Sequence, residues 1–197
     1  MEKRNRLLGI CGVSGAGKST VEKNLMHEYP DIFHKWQQVT TRKPRVGERW
    51  GDPYVFLERS TFEKIKDVLV GRLGVAPDTM FKDCYGSFPD FVEGKVSTVI
   101  LAEEAIKDLM SDKSITSNTD IFVYGLDVNT ENLNTEARRE GRDDSFLDKE
   151  RTVLKYADAS YKCTNGRYLP PNLVYQLLVH HGFIEPQQIN ESEGVKG

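Results

Sequence analysis

The sequence predicts an α/β fold built on a mainly parallel sheet. Three observations carry this prediction. Short apolar runs alternate with amphipathic stretches along most of the chain, and strands separated by helices form βαβ units. The first apolar run passes through a glycine-rich loop into a helix-forming stretch, Gly12-Val13-Ser14-Gly15-Ala16-Gly17-Lys18-Ser19. The 197 residues are 38% hydrophobic and 10% aromatic. That is enough for a core somewhat larger than one average domain, without a disulfide or metal staple.

Each element follows in order. Leu7-Leu8-Gly9-Ile10-Cys11 reads as a buried strand, and Lys18 to Tyr29 as a helix closed by Pro30. Tyr54-Val55-Phe56-Leu57 reads as a short strand. Ser60-Thr61-Phe62-Glu63 has the form of a capping box and opens a helix to about Val70. Val96 to Leu101 is a second buried strand, followed by a helix over Ala102 to Met110. Ile121-Phe122-Val123-Tyr124 is a third strand, with a helix after it through Arg138. Asp144 to Tyr156 is again helical, Tyr161-Lys162-Cys163 is a weak last strand, and Asn172 to His181 a last helix. Pro186 to Gly197 is polar, with Ile189 and Val195 as its only larger aliphatics, and reads as a disordered tail. No internal repeat is visible.

Composition narrows the function classes. With 27 basic and 30 acidic residues the net charge is −3, which excludes a globally basic nucleic-acid coat or a polybasic membrane binder. Cys11, Cys84 and Cys163 form no C-x-x-C pair, so free thiols in a reducing compartment are expected. His27, His34, His180 and His181 have no Cys or acidic partners at metal-ligand spacing. No apolar run approaches the roughly 18 residues of a membrane span. The charged start, Met1 to Arg6, is followed by an apolar stretch that runs into glycines, without the pattern of a signal peptide. A cytoplasmic protein is expected, with no membrane or nucleic-acid partner.

The glycine-rich loop fits G-x-x-x-x-G-K-[ST] at every constrained position, between a strand and a helix. Its glycines let the backbone curl so that successive N–H groups converge on an anion. The helix behind adds free N–H groups and its positive dipole end. Lys18 offers a point charge to the β- and γ-phosphates, and Ser19 a hydroxyl ligand for Mg²⁺. Gly12, Ser14, Gly15, Ala16, Gly17, Lys18, Ser19 and Thr20 are therefore the candidate ATP-binding set, with Ser19 the metal ligand.

A second loop runs Thr40-Thr41-Arg42-Lys43-Pro44-Arg45-Val46-Gly47-Glu48-Arg49-Trp50-Gly51-Asp52-Pro53-Tyr54-Val55-Phe56. Four cations fall within eight residues, and Pro44, Gly47, Gly51 and Pro53 break any helix. The arginine fork grips phosphate oxygens in pairs. The phosphate loop followed by T-T-R-x-P-R-x-G-E-x-x-G-x-x-Y-x-F resembles the guanylate kinase family, closely here and more weakly over most of residues 7–185. The resemblance implies a three-layer α/β P-loop kinase with a parallel core sheet, an inserted acceptor-nucleotide domain and a lid. It divides a single domain, 1–185, into a core (1–37, 92–131 and 152–185), an NMP-binding insertion (38–91) and a lid (132–151), with the tail at 186–197. It implies that Arg42, Arg45 and Tyr54 bind the acceptor phosphate and that Glu48 orients the second arginine. A later Tyr85-Gly86-Ser87 matches a family Y-G-S, whose tyrosine is a phosphate ligand and whose serine lies near the base.

Ala137-Arg138-Arg139-Glu140-Gly141-Arg142 resembles the family's R-x-x-G-R lid signature. By that match Arg138 and Arg142 close over the phosphates, and Arg151 is a third. Asn165, before Gly166, matches a family asparagine near the donor adenine. Three departures bear on the base. Gln38 stands where the family has a serine of the guanine pocket. The family's glutamate, nine residues before Tyr85, falls on Ala76, with Asp78 two residues on. The family's L-D-x-D aspartates fall on Ile100 and Ala102, with Glu103 and Glu104 following.

The expected activity is transfer of the ATP γ-phosphate, with Mg²⁺, to a (deoxy)nucleoside monophosphate. The acceptor is GMP or dGMP, or a non-guanine nucleotide such as dTMP or dUMP. Lys18, Arg42, Arg138, Arg142 and Arg151 are expected to carry the chemistry by positioning and charge neutralisation. The protein is expected to be a monomer or homodimer. The competing class is an inactive module of the same family that binds phosphoproteins; the presence of Lys18, Ser19 and the lid arginines favours the enzyme.

Overall fold

The structure is a computed structural model that describes residues 4–76, 79, 81–128, 144–163 and 171–186. The strands among these are β1 (Asn5–Gly12), β2 (Phe33–Lys35), β3 (Gln38–Thr40), β4 (Tyr54–Phe56), β5 (Val70–Leu73), β6 (Tyr85–Ser87), β7 (Val96–Ile100), β8 (Thr119–Val128) and β9 (Ala159–Cys163). The helices are α1 (Lys18–Glu28), α2 (Arg59–Ile65), α3 (Glu103–Ser111), α4 (Lys113–Thr116), α5 (Asp144–Arg151) and α6 (Pro171–His180).

β1 lies at the centre of a five-stranded sheet, order β2-β7-β1-β8-β9, in which every pairing is parallel. Strands buried on both faces need apolar side chains at successive positions. In β1, Leu8 and Ile10 enter the cluster that α1 and α6 cover, while Leu7 and Cys11 enter the cluster that α3 covers. Helices on both faces of a parallel sheet make the predicted three-layer α/β P-loop kinase architecture. A buried ion pair ties the first layer down: Glu22 of α1, 1% exposed, meets Lys35 at 3.0 Å and accepts from Thr98 Oγ1 at 3.2 Å. No helix among the described residues is long and apolar enough to cross a membrane.

A second sheet, order β4-β3-β6-β5, occupies the stretch between β2 and β7. β3 pairs parallel with β4, whereas β6 runs antiparallel to β3 and β5. It packs on α2 through its own small core of Val39, Phe62, Leu69 and Cys84. β5 lies beside α3, where the Arg72 fork grips Asp108 with Nη2 2.8 Å and Nε 3.0 Å from Oδ1. The Arg72 backbone N–H donates to the same carboxylate at 2.8 Å.

Several elements differ from their sequence reading. The Ser60–Glu63 capping box does not form: the helix starts earlier, at Arg59, with Glu58 before it and no side-chain cap. Glu63 instead accepts from Arg59 and Lys66. That helix stops at Ile65, and Val70 begins β5, because Val70 and Leu73 are buried towards the core rather than along a helical face. The stretch read as one helix over Asp144–Tyr156 divides into α5 and a 3₁₀ turn, Thr152–Tyr156. β8 extends well beyond Ile121–Tyr124 at both ends, since it pairs with β1 along eight positions. The helix expected through Arg138 and most of the lid and tail lie outside the described residues.

Candidate active site

The loop after β1 takes its shape from three glycines with positive φ: Gly12 at 142°, Gly15 at 82° and Gly17 at 90°. At Gly12 space also forbids a side chain, since a Cβ would stand 2.6 Å from the Leu126 carbonyl oxygen. Gly17 turns directly into α1, so the first free N–H groups of the helix open into the loop. Lys18 folds back, its Nζ donating to the carbonyls of Gly12 at 2.8 Å and Val13 at 2.9 Å.

The second cluster sits on the small sheet. The Arg42 fork engages Glu48 with Nη1 and Nη2 each 2.9 Å from a carboxylate oxygen. The guanidinium lies 5.6 Å from the ring centroids of both Tyr54 and Phe56. Burial, the largest single influence, works against its charge, but the Glu48 hydrogen bonds and charge together with neighbouring Tyr85 outweigh it and raise the Arg42 pKa. Glu48 shows the converse: burial pushes up, and hydrogen bonds from Arg42 and the Arg45 backbone hold the carboxyl below its usual range. The Arg45 N–H donates to Glu48 at 2.7 Å, so one carboxylate shapes the whole arginine turn. Burial, and then neighbouring Tyr85, push the Tyr54 phenol up to about 12, leaving it a hydrogen-bond donor at neutral pH.

One cavity of about 740 Å³ joins the two clusters, a size suited to small-molecule binding. On the loop side it is lined by Gly12, Ser14, Gly15, Gly17, Lys18, Ser19 and Thr20. On the small-sheet side stand Gln38, Arg42, Arg45, Tyr54 and Tyr85, with Phe81 and Leu73 as apolar wall. Ala16, Glu48, Gly86, Ser87 and Arg151 do not line it; Glu48 and Ser87 act on it through Arg42 and Gln38. Asp78, Arg138, Arg142 and Asn165 lie outside the described residues.

Gln38 is only 5% exposed and fixed in orientation. Its Nε2 donates to the Ile100 carbonyl at 3.1 Å and to Ser87 Oγ at 3.3 Å. A carbonyl can only accept, so the NH₂ group must face it, which leaves Oε1 as the acceptor.

The two glutamates after β7 have separate partners. Glu103 pairs with Lys107 at 2.8 Å and Lys155 at 2.9 Å and accepts from Thr152. Its hydrogen bonds, from Lys107 first and Thr152 next, hold its carboxyl down at about 2. Glu104 reaches the other way, accepting from Thr79 Oγ1 at 2.9 Å and the Gly74 N–H at 3.4 Å. As for a metal, the described residues hold no cluster of three ligating side chains. Magnesium binds a nucleotide through few protein groups and keeps several waters, and the Ser19 hydroxyl on the cavity fits that role.

Two residues were missed in the sequence. Glu150 of α5 lines the cavity, and Asp127 at the end of β8 lies 3.0 Å from Arg151 Nη2. No motif marks either, since each meets its partner only through the fold. Trp36 is fully buried, with Nε1 donating to the Asp90 carbonyl at 2.7 Å. Trp50, in the arginine loop, is 73% exposed.

Comparison with known proteins agrees with the motifs. Residues 4–72 match the guanylate kinase family model. A guanylate kinase from Synechococcus sp. (strain CC9902) is 41% identical over 96 residues, covering 47% of this chain and 48% of that protein. One from Nostoc sp. (strain PCC 7120 / SAG 25.82 / UTEX 2576) is 38% identical over 60 residues, 30% of each chain. The matched segments thus span half or less of these relatives' length. The crystal structure of guanylate kinase from Anaplasma phagocytophilum superposes with a TM-score of 0.66 over 96% of this chain and 93% of that one, at 16% identity. The family resemblance read from the motifs is borne out in sequence over the first part of the chain, and the fold over nearly all of it.

Proposed function

Taking likeness to the guanylate kinase family as the premise, we propose that the chain is an ATP-dependent nucleoside-monophosphate kinase. One observation carries this: a single cavity places an intact phosphate loop opposite an arginine–tyrosine cluster. The loop N–H groups and Lys18 would hold the donor phosphates. Arg42, Arg45, Tyr54 and Tyr85 would hold the acceptor phosphate. An acceptor phosphate is already anionic, so no strong base is needed, and catalysis reduces to alignment and charge neutralisation. The arginines beyond β8, Arg138 and Arg142, would complete that neutralisation. Mg²⁺, held by Ser19 and the nucleotide, would supply charge screening of the β- and γ-phosphates. Residues 38–91 would then be the acceptor-binding insertion.

Gln38 bears on the base. With its amide hydrogens engaged, its Oε1 seeks a donor. Guanine, thymine and uracil present a ring N–H, whereas adenine and cytosine present a ring acceptor at the matching edge. A buried acceptor facing an acceptor leaves both unpaired, a penalty that can reach roughly 10⁴ in discrimination. The proposed acceptors are therefore GMP, dGMP, dTMP and dUMP rather than AMP or CMP.

The test is ADP formation from ATP and Mg²⁺ with each ribo- and deoxynucleoside monophosphate. Lys18→Ala serves as the control and should lose at least about 10²-fold in kcat. Turnover restricted to bases with a ring N–H is expected. AMP or CMP as the best acceptor would refute the base reading. No turnover with any nucleotide, matching Lys18→Ala, would turn the assignment to a phosphoprotein-binding module.

A further inference from the structure

The phosphate loop holds an anion supplied by the chain itself. Glu150, in the last turn of α5, places its carboxylate on Ser14: Oε2 accepts from the Ser14 N–H at 2.8 Å and Oε1 from the Ser14 hydroxyl at 2.8 Å. Both residues line the large cavity. Ser14 belongs to the glycine-rich loop whose N–H groups would hold the donor phosphates, and a carboxylate takes such donors by the same charge-assisted bonding. The next residue is also tied down. Arg151 Nη2 donates to the Val128 carbonyl at 2.7 Å. It lies 3.0 Å from Asp127 Oδ1, a buried oxygen that receives no aligned hydrogen bond. Two adjacent residues thus fasten the end of α5 to the loop after β1 and to the end of β8.

We propose that Glu150 is an internal competitor for the donor phosphates, so that a nucleotide polyphosphate must expel it from Ser14. Two anions cannot share one donor pair, so nucleotide and Glu150 exclude each other. By linkage, filling the loop releases the end of α5, and holding α5 in place weakens the nucleotide. This rests on the proposed kinase reading for the identity of the ligand. It goes beyond that reading in assigning Glu150, a residue without a place in the transfer, to the control of donor affinity.

The test is the affinity of ADP with Mg²⁺ for the wild-type chain, Glu150→Ala and Glu150→Gln, measured by titration calorimetry. Circular dichroism and thermal melting accompany each variant. Removing a competing charge-assisted pair at a partly exposed site should tighten ADP about three- to tenfold in Glu150→Ala. Glu150→Gln keeps an acceptor but no charge, so it should fall between. A purely structural role would lower the melting temperature and leave affinity unchanged or weaker, which overturns the proposal. If Glu150→Ala fails to fold, Glu150→Gln alone decides: tighter binding supports competition, and equal binding refutes it. Equal, measurable binding in all three proteins refutes the competition alone. Absence of binding in all three refutes the kinase reading with it.

Discussion

At the scale of single residues, the cavity depends on side chains whose charge is set by their neighbours. Glu48 sits under two arginines and fixes where the Arg42 fork points. Glu103 is the clearest case with a pH signature. Its carboxyl is held at about 2 against an ordinary 4.5, by Lys107 first, then Thr152 and Lys155. A carboxylate with a depressed folded pKa adds stability above its unfolded pKa and loses it as pH falls towards the folded one. Glu103→Gln should therefore lower stability at neutral pH, and the difference should close between about pH 5 and pH 2. Both lysines are 56% exposed, so solvent screening holds the effect to about 1 kcal/mol. Thermal melts of both proteins across that pH range are the measurement; a difference that widens in acid would contradict the assignment.

At the scale of elements, the small sheet is docked on the core through β5 against α3. Two carboxylates of α3 reach across this seam. Asp108 takes the Arg72 fork and its backbone N–H, and Glu104 takes Thr79 and the Gly74 N–H. Removing Asp108 leaves a guanidinium and a backbone donor without their acceptor. Asp108→Ala should destabilise the chain by about 1–2 kcal/mol in urea unfolding. Asp108→Asn, which keeps an acceptor for the N–H, should recover part of that loss. The capping box shows how local signals yield to such contacts. Ser60 and Glu63 have the right spacing, yet burial of Phe62 in the small core sets the helix start one residue before Ser60.

At the scale of the whole molecule, the two apolar layers close over β1 and seal its thiol. Cys11 is fully buried, and burial pushes it up to about 12. Cys84 is buried too, its Sγ on the Gly74 carbonyl at 3.1 Å. Neither should react with a thiol reagent such as DTNB in the native protein at pH 8, and both should react at the urea concentration that unfolds the core. Native labelling of Cys11 would mean that the layers open without global unfolding. The fold class and the phosphate loop were legible in the sequence for a local reason. Glycines at positive φ, a lysine and serine at the helix start, and apolar runs of strand length each act within a few neighbouring residues. The three-residue strands β2, β3 and β6 were not legible, because their partners rather than their own pattern make them strands. The same holds inside the cavity. Gln38 is oriented by Ser87 and Ile100, 49 and 62 residues away, and Ser14 meets Glu150 across 136 residues. A glycine-rich strand–loop–helix turn is written in consecutive residues, since it needs only local backbone geometry. The direction in which the Gln38 amide faces and the carboxylate that meets Ser14 come instead from packing. Those depend on distances between segments that no local spacing encodes.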